Sequence, residues 1–338
     1  MRAANGKRLY IQEVSVRDGF QIEPIFISTA RKVELINALS RTGLAKIEVT
    51  SFTSPIAIPA LADAETVMRQ IERVAGVEYT ALVPNLRGCE RALACGVDEV
   101  NLVMSASQTH NMANLRMTCE ASLLQFAQIV ALVAGKVAIN VSLSTAFGCP
   151  FDGAVPASRV FELVDRCVAM GVGRLTLCDT TGVANPAQVA HLCDAVRTRW
   201  PQVVFTAHFH NTRSMGLANA LAALDGGIDR FDASLGGLGG CPFAPGASGN
   251  VCTEDMVHMF EAMGYDTGVR LNDMLDIARQ LPAIVGHEVP GQVMKAGLSS
   301  RLYPKPGGLG SGKDQQRLAG QGAAVALDPA STYHGSTP

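Results

Sequence analysis

Short apolar-rich runs alternate with longer amphipathic segments along most of the chain. The runs YIQEVSV (10–16), KIEVTSF (46–52), EYTALV (78–83), EVNLVMS (99–105), VAINVSLST (137–145), RLTLCDT (174–180), VVFTAHFH (203–210) and RFDASLG (230–236) read as strands. Between them, segments such as ARKVELINALSRTG (30–43) and PASRVFELVDRCVAMG (156–171) carry apolar residues at helical spacing. Gly43, Gly96 and Gly171 stand where helices commonly end. Eight strand–helix units within roughly 250 residues predict an α/β fold, a (β/α)8 barrel of the TIM type. A doubly wound sheet is the alternative, but no G-x-G-x-x-G follows the first strand. Helical patterns over 253–262 and 271–285 predict extra C-terminal helices, so residues 1–302 read as one barrel domain. From Tyr303 the composition shifts to PKPGGLGSGKDQQ, and residues 303–338 are expected to be a poorly ordered tail.

Composition narrows the class. The chain has 338 residues, 48% apolar and 17% charged, enough to fill a large core. Its net charge of −2 offers no electrostatic reason for nucleic acid or an anionic membrane as partner. Nine cysteines, an odd number with no C-x-x-C, suggest reduced thiols rather than a disulfide framework. The start, MRAANGKRLYIQEVS, has no apolar signal core. No apolar run reaches the roughly 18 residues of a membrane span. A soluble cytoplasmic protein is the expectation.

A barrel of this kind does its chemistry at the C-terminal ends of its strands. Polar residues gather there: Arg17 and Asp18, Glu48, Thr50 and Ser51, Asn85, Ser105 and Ser107, Ser144 and Thr145, Asp179 and Thr180, His208 and His210. His208 and His210 are two apart, so on a strand they share one face and suit a divalent cation. A plain hydrogen-bonded pair is the other reading. Asp18, at the end of the first strand and beside the eighth in a closed barrel, is the natural third ligand, although Arg17–Asp18 alone also reads as a turn with a salt link. Asn250 can add an amide oxygen. This mixed N/O set favours Mg²⁺ or Mn²⁺ over a structural zinc site. Arg17 is a permanent cation that can stabilise a developing enolate. Glu48 reads as a site carboxylate or as a structural partner of a base, and Asp179 as a second base or a structural partner.

The stretch LGGLGGCPFAPGASGN (235–250) follows the last strand run. It is long for a connection without structure of its own, which favours a functional loop. Most of the nine cysteines read as inert core residues. Cys241 differs, because it lies among glycines at the barrel mouth, where a thiol can give or take a proton.

These residues together resemble the 3-hydroxy-3-methylglutaryl-CoA lyase family, within the metal-dependent lyase and condensing enzymes. The likeness spans roughly residues 10–285 and is carried by VSVRDGFQIE (14–23), KIEVTSFTSP (46–55), LVPNLRG (82–88), SASQTHNMANL (105–115), FGCPFDG (147–153), LCDTTGV (177–183), HFHNT (208–212) and GGLGGCPFAPGASGN (236–250). The resemblance implies retro-Claisen cleavage of a 3-hydroxyacyl-CoA to acetyl-CoA and a keto acid. By motif it gives the metal to Asp18, His208, His210 and Asn250, and catalysis to Arg17, Cys241, Glu48 and Asp179. It also implies substrate contacts at Gln21, Thr50, Ser107, Thr145 and Arg213, an acyl-CoA partner and a homo-oligomer. The chain departs from the family pattern at Ile22, Pro24, His110, Asn211, Arg213 and Ser214. Those departures predict intact chemistry in an altered pocket. Arg213 could meet an additional carboxylate or a CoA phosphate, or stand exposed without a role. A citramalyl-CoA lyase, a condensing synthase, and a catalytically silent metal-binding barrel are the competing readings.

Overall fold

The structure, a computed structural model, describes residues 6–240 and 249–304. Two compact units divide the chain, residues 1–298 and 299–338. Most of the expected tail, residues 305–338, lies outside the described residues. In the first unit eight parallel strands close into a barrel in chain order. They are β1 (Tyr10–Glu13), β2 (Lys46–Ser51), β3 (Glu78–Leu82), β4 (Glu99–Ser105), β5 (Ala138–Ser144), β6 (Arg174–Asp179), β7 (Val204–Phe209) and β8 (Arg230–Ala233). Closure comes from the β1–β8 pairing, with Gln12 opposite Asp232 and Glu13 opposite Ala233.

Eight helices pack outside the barrel in its strand–helix repeat: α1 (Thr29–Ser40), α2 (Ala64–Gln70), α3 (Leu86–Ala94), α4 (Gln108–Leu115), α5 (Cys119–Val133), α6 (Ala157–Ala169), α7 (Pro186–Arg199) and α8 (Gly216–Asp225). Side chains of Ser28, Asn85, Ser107, Thr118 and Asn185 accept N–H bonds at five of their N-termini, satisfying donors the helices cannot pair internally. The helix expected at 253–262 is α9 (Thr253–Ala262). The pattern over 271–285 is not one helix but two, α10 (Leu271–Ala278) and α11 (Leu281–Val285). Pro282, which lacks an N–H, sits in the first turn of the second and forces the restart. A further short helix, α12 (Val293–Ala296), follows. Among the described residues no helix is long and apolar enough to cross a membrane.

Strand alternation sets what faces in. Leu175 and Leu177 of β6, or Phe205 and Ala207 of β7, are buried in the hydrophobic core, while Thr176 and Thr206 between them join polar contacts inside the barrel. That interior is unusual, since branched aliphatic residues normally dominate it. Here Asn140 Nδ2 donates to Asn101 Oδ1 at 2.9 Å and to Thr176 Oγ1 at 3.0 Å, and Ser142 Oγ donates to Asn101 Oδ1 at 2.9 Å. At the N-terminal end Lys46 and Arg174 alternate with Glu78 and Glu99: Lys46 Nζ lies 2.6 Å from Glu99 and 3.3 Å from Glu78, and Arg174 Nη1 lies 2.7 Å and 2.6 Å from the same two.

Two strands, β1 and β8, end well before the sequence suggests. β1 stops at Glu13 because Ser15–Gly19 coils into a single π-helical turn, in which the amides of Asp18 and Gly19 both address the Val14 carbonyl. β8 stops at Ala233, and Leu235–Gly237 forms a 3₁₀ turn. β2 carries a register shift between Glu48 and Thr50.

Candidate active site

The π-helical turn after β1 explains how two adjacent residues, Arg17 and Asp18, both face the barrel mouth. Such turns recur at functional sites because they offset side chains from regular helix geometry. Arg17 Nη1 donates to Asp18 Oδ1 at 2.5 Å and Arg17 Nε donates to Glu48 Oε2 at 2.5 Å. Glu48 Oε1 in turn accepts from Asn101 Nδ2 at 2.8 Å. The guanidinium is therefore held on two edges by buried carboxylates, one of them braced by the polar barrel interior.

His208 lies in β7 and His210 just past it, on the same face. The chain comes back to them after β8: His210 bridges Asn250, Asn211 N donates to Gly249 O, and Val251 N donates to Phe209 O. This return strip puts Asn250 beside the histidines. Close packing there needs bare backbone. A Cβ on Gly239 would lie 2.6 Å from Asn250 Nδ2 and 3.0 Å from Asp18 Oδ2, and one on Gly249 would lie 2.1 Å from the Gly237 carbonyl oxygen, at a φ of +114°.

Ligand atoms of Asp18, His208 and His210 all lie within 4.8 Å of one another. The two Nε2 atoms are 3.3 Å apart, a distance a hydrogen bond alone would also give. Two further observations favour a cation. Asn250 donates its Nδ2 to Asp18 Oδ2 at 2.7 Å and to Leu238 O at 2.9 Å, while its buried Oδ1 has no hydrogen-bond partner among the described residues. His210 Nδ1 is likewise buried without a partner there. Buried polar atoms in native proteins are almost always satisfied. An N/O donor set that includes them fits a hard divalent cation.

Electrostatics separate the two histidines. Burial and the neighbouring His208 push the His210 imidazole down to about 3, so it is neutral near pH 7. Burial acts against protonation of His208 too, but Asp232, through a hydrogen bond and its charge, outweighs it and shifts His208 upward. Burial tends to raise Asp18, yet Arg17, His208 and His210 overcome it and hold that carboxyl at about 2. Asp232 Oδ2 lies 3.4 Å from His208 Nδ1, with the two residues paired across β7 and β8. Sequence reasoning missed Asp232. Its signal was a lone acid in the apolar run RFDASLG, opposite a histidine two residues from another.

The other expected residues fall at the same mouth with different partners. Asp179 is buried, and its oxygens accept the amides of Val183 at 2.9 Å and Ala184 at 3.1 Å. The structural-partner reading accounts for these contacts, since the carboxylate closes the turn after β6. Burial still pushes its carboxyl upward against those two amides. Ser107 caps α4, accepting from His110 N and donating to Asp152 Oδ2 at 2.6 Å. Thr145 Oγ1 accepts from Ser107 N, and Thr145 N donates to Thr180 Oγ1. Thr50 is buried just past the β2 register shift, and Gln21 is half-buried in the turn that follows Asp18. Arg213 is exposed, with Nη1 donating to the carbonyls of Thr181 and Gly182 at 2.9 and 3.0 Å. Cys241 lies outside the described residues.

Comparison with known proteins agrees with this geometry. Residues 8–281 match the family model described as HMGL-like. The chain belongs to the HMGL-like family, that of the hydroxymethylglutaryl-CoA lyases. It is 45% identical over 295 residues to a hydroxymethylglutaryl-CoA lyase of Bacillus subtilis, covering 87% of this chain and 99% of that protein. It is 43% identical over 306 residues to an (R)-citramalyl-CoA lyase of Chloroflexus aurantiacus, covering 87% and 96%. A solved HMG-CoA lyase from Acinetobacter baumannii, in complex with coenzyme A and 3-methylmalate, superposes with a TM-score of 0.86 at 49% identity, over 90% of this chain and 100% of that one. The barrel expected from strand periodicity and the family expected from the motifs are both what these findings show.

Proposed function

We propose that this chain is a divalent-metal-dependent carbon–carbon lyase that cleaves 3-hydroxy-3-methylglutaryl-CoA to acetyl-CoA and acetoacetate. The observation that carries the reading is the convergence of Asp18, His208, His210 and Asn250, whose Oδ1 has no partner among the described residues, beside an arginine held by two carboxylates. In this reading Asp18, His208, His210 and Asn250 hold Mg²⁺ or Mn²⁺. The bound cation supplies Lewis-acid polarisation that lowers the pKa of the substrate's C3 hydroxyl.

The protein's own groups do the rest. As the hydroxyl proton passes to a base, Asp179 in this reading, the C2–C3 bond breaks, C3 becomes the ketone of acetoacetate, and the bonding pair passes to the thioester enolate. Arg17, fixed by Glu48 and Asp18, donates to the enolate oxygen without having to reorganise during the reaction. Cys241 protonates the enolate carbon to give acetyl-CoA. Gln21, Thr50, Ser107 and Thr145 line the mouth as substrate contacts, and Arg213 offers a cation to an anionic group of the substrate. A soluble cytoplasmic homo-oligomer acting on acyl-CoA thioesters completes the reading.

Cleavage of citramalyl-CoA, whose acid arm is one methylene shorter, is the second reading. The Chloroflexus relative at 43% identity favours it, as does the altered pocket with Ile22 and Asn211. Both are tested by incubating the purified protein and Mn²⁺ with each thioester and measuring acetyl-CoA together with acetoacetate or pyruvate. A higher kcat/KM for the methylglutaryl ester, abolished by EDTA and restored by Mn²⁺, supports the first. Preference for citramalyl-CoA selects the second, and turnover of neither returns the protein to a metal-binding role.

A further inference from the structure

Glu13, the last residue of β1, is fully buried and took no part in the chemistry above. Its two oxygens nevertheless collect three donors from three different segments. Oε1 accepts from Ser15 N at 2.8 Å and from Leu235 N at 2.9 Å, and Oε2 accepts from Thr253 Oγ1 at 2.7 Å. Ser15 opens the π-helical turn that carries Arg17 and Asp18. Leu235 opens the 3₁₀ turn that leads into the glycine-rich stretch. Thr253 opens α9, three residues beyond Asn250. One carboxylate thus grips the segment bearing Asp18 and both ends of the segment that closes on Asn250.

Neighbouring contacts show why the grip falls at this point. Val14 N donates to Ala233 O, Ser234 N to Val251 O and Thr253 N to Ser234 O, so backbone bonds stitch the same three segments just beside Glu13. Glu254 Oε2 accepts from Gly236 N at 3.0 Å and extends the grip by one residue. At the other end of this seam Asn250 Nδ2 meets Asp18 Oδ2 at 2.7 Å. A side chain that sets the separation of these segments therefore sets the separation of two candidate ligands.

We propose that Glu13 is a positioning residue for the metal centre, which holds the turn bearing Asp18 and the strip bearing Asn250 in the register at which both reach one cation. The inference rests on the metal reading above. It follows from donor count and burial: all three donors need an acceptor, and a missing one leaves buried amides unsatisfied, a cost the segments would relieve by moving apart. Glutamine can keep both amide bonds on its carbonyl oxygen, and the Thr253 hydroxyl can turn to accept from the new amide. Alanine can keep none.

The test is a Mn²⁺ titration, read from the electron paramagnetic resonance of free Mn²⁺, on the full chain and on Glu13→Gln, Glu13→Ala and Thr253→Val, with amide exchange at Ser15 and Leu235 followed in parallel. Glu13→Ala is expected to weaken Mn²⁺ binding about tenfold or more, the size of effect seen when an outer-sphere partner is lost, and to speed exchange at both amides. Glu13→Gln should stay within about threefold of the parent. Thr253→Val removes one bond at nearly constant volume, so it carries the test if the alanine variant does not fold, and should fall between the two. Parent-like Mn²⁺ affinity in Glu13→Ala or Thr253→Val, with only a lower Tm, would leave Glu13 a structural residue and overturn the proposal. Equal damage in Glu13→Gln would overturn it as well, by making charge rather than acceptor geometry the cause. A parent protein that binds no Mn²⁺ is a different failure, that of the metal reading, and removes the proposal with it.

Discussion

The barrel carries two charge clusters, one at each end, and they are built on opposite terms. At the N-terminal end Lys46, Arg174, Glu78 and Glu99 form a closed square, two cations against two anions, with each charge touching both opposites. At the C-terminal end Arg17, Asp18, Glu48, His208 and Asp232 are linked too, but among the described residues Asn250 Oδ1 and His210 Nδ1 have no partner. The first cluster is complete within the chain. The second has acceptors in hand for something outside it. Completeness, more than burial or charge, separates a plug from a site.

That contrast can be broken from either end. The largest effect is expected at the mouth: His210→Ala should weaken Mn²⁺ binding by more than the ~10–100-fold that loss of an outer-sphere partner costs, and abolish turnover. Tm of the metal-free protein should barely move. A large drop in Tm with Mn²⁺ affinity intact would make the mouth a second plug. Glu99→Ala should do the reverse. It leaves Lys46 and Arg174 sharing the half-buried Glu78 alone, which costs about 1–3 kcal/mol. The urea midpoint should fall accordingly, while kcat per folded molecule and Mn²⁺ affinity hold.

Smaller changes sharpen the comparison. Asp232→Asn keeps its shape but loses the charge that steadies His208, so Mn²⁺ affinity should drop about 10-fold, less than for His210→Ala. Parent-like affinity would show that Asp232 is not an outer partner. Glu254 lies beneath the mouth, with no hydrogen-bond partner for Oε1 among the described residues. Burial first, then Asp255 and Glu13, push its carboxyl up to about 8, whereas an unfolded glutamate titrates near 4.5. The folded protein therefore binds a proton that the unfolded chain has released. Stability declines as pH rises from about 4.5 to 8, by a few kcal/mol in total, and levels off above. Glu254→Gln should flatten that decline and raise Tm most at pH 8; an unchanged pH profile would mean the group titrates normally.

How much of this could be read beforehand differs by element. Eight strands were visible because each is a short apolar-rich run set between longer helical stretches, several of them ending in glycine. The ends of β1 and β8 were not, because VSV and SLG look extended while their backbones coil to satisfy Val14 O and Ser234 O. The candidate ligand group was legible where spacing carries geometry, as in His208-x-His210, and where a strand end places a carboxylate. Asp232 was illegible because its meaning lies in the β7–β8 register, which no local window contains. The polar interior was hidden for a similar reason. Thr176 or Asn140 between aliphatics reads as the wet face of a half-exposed strand, and only closure turns that face inward. Asp179 shows the converse, a visible acid whose two oxygens are used by its own turn.

Thr145 has a consequence for how this enzyme could be re-engineered. It is a buried β-branched residue at a φ of +55°, a conformation such side chains rarely adopt and one that costs on the order of 1–3 kcal/mol. Its amide and hydroxyl tie the segments after β4, β5 and β6 into one arc through Ser107 and Thr180. That arc behaves as a sprung hoop around three-eighths of the rim. A substitution there changes the curvature of the wall before it changes the chemistry of its surface. Glycine would release the spring and lose the tie; valine would keep the strain and lose the hydroxyl that repays it. Altered substrate preference is therefore easier to seek across the mouth at Ile22, which is exposed in the turn after β1.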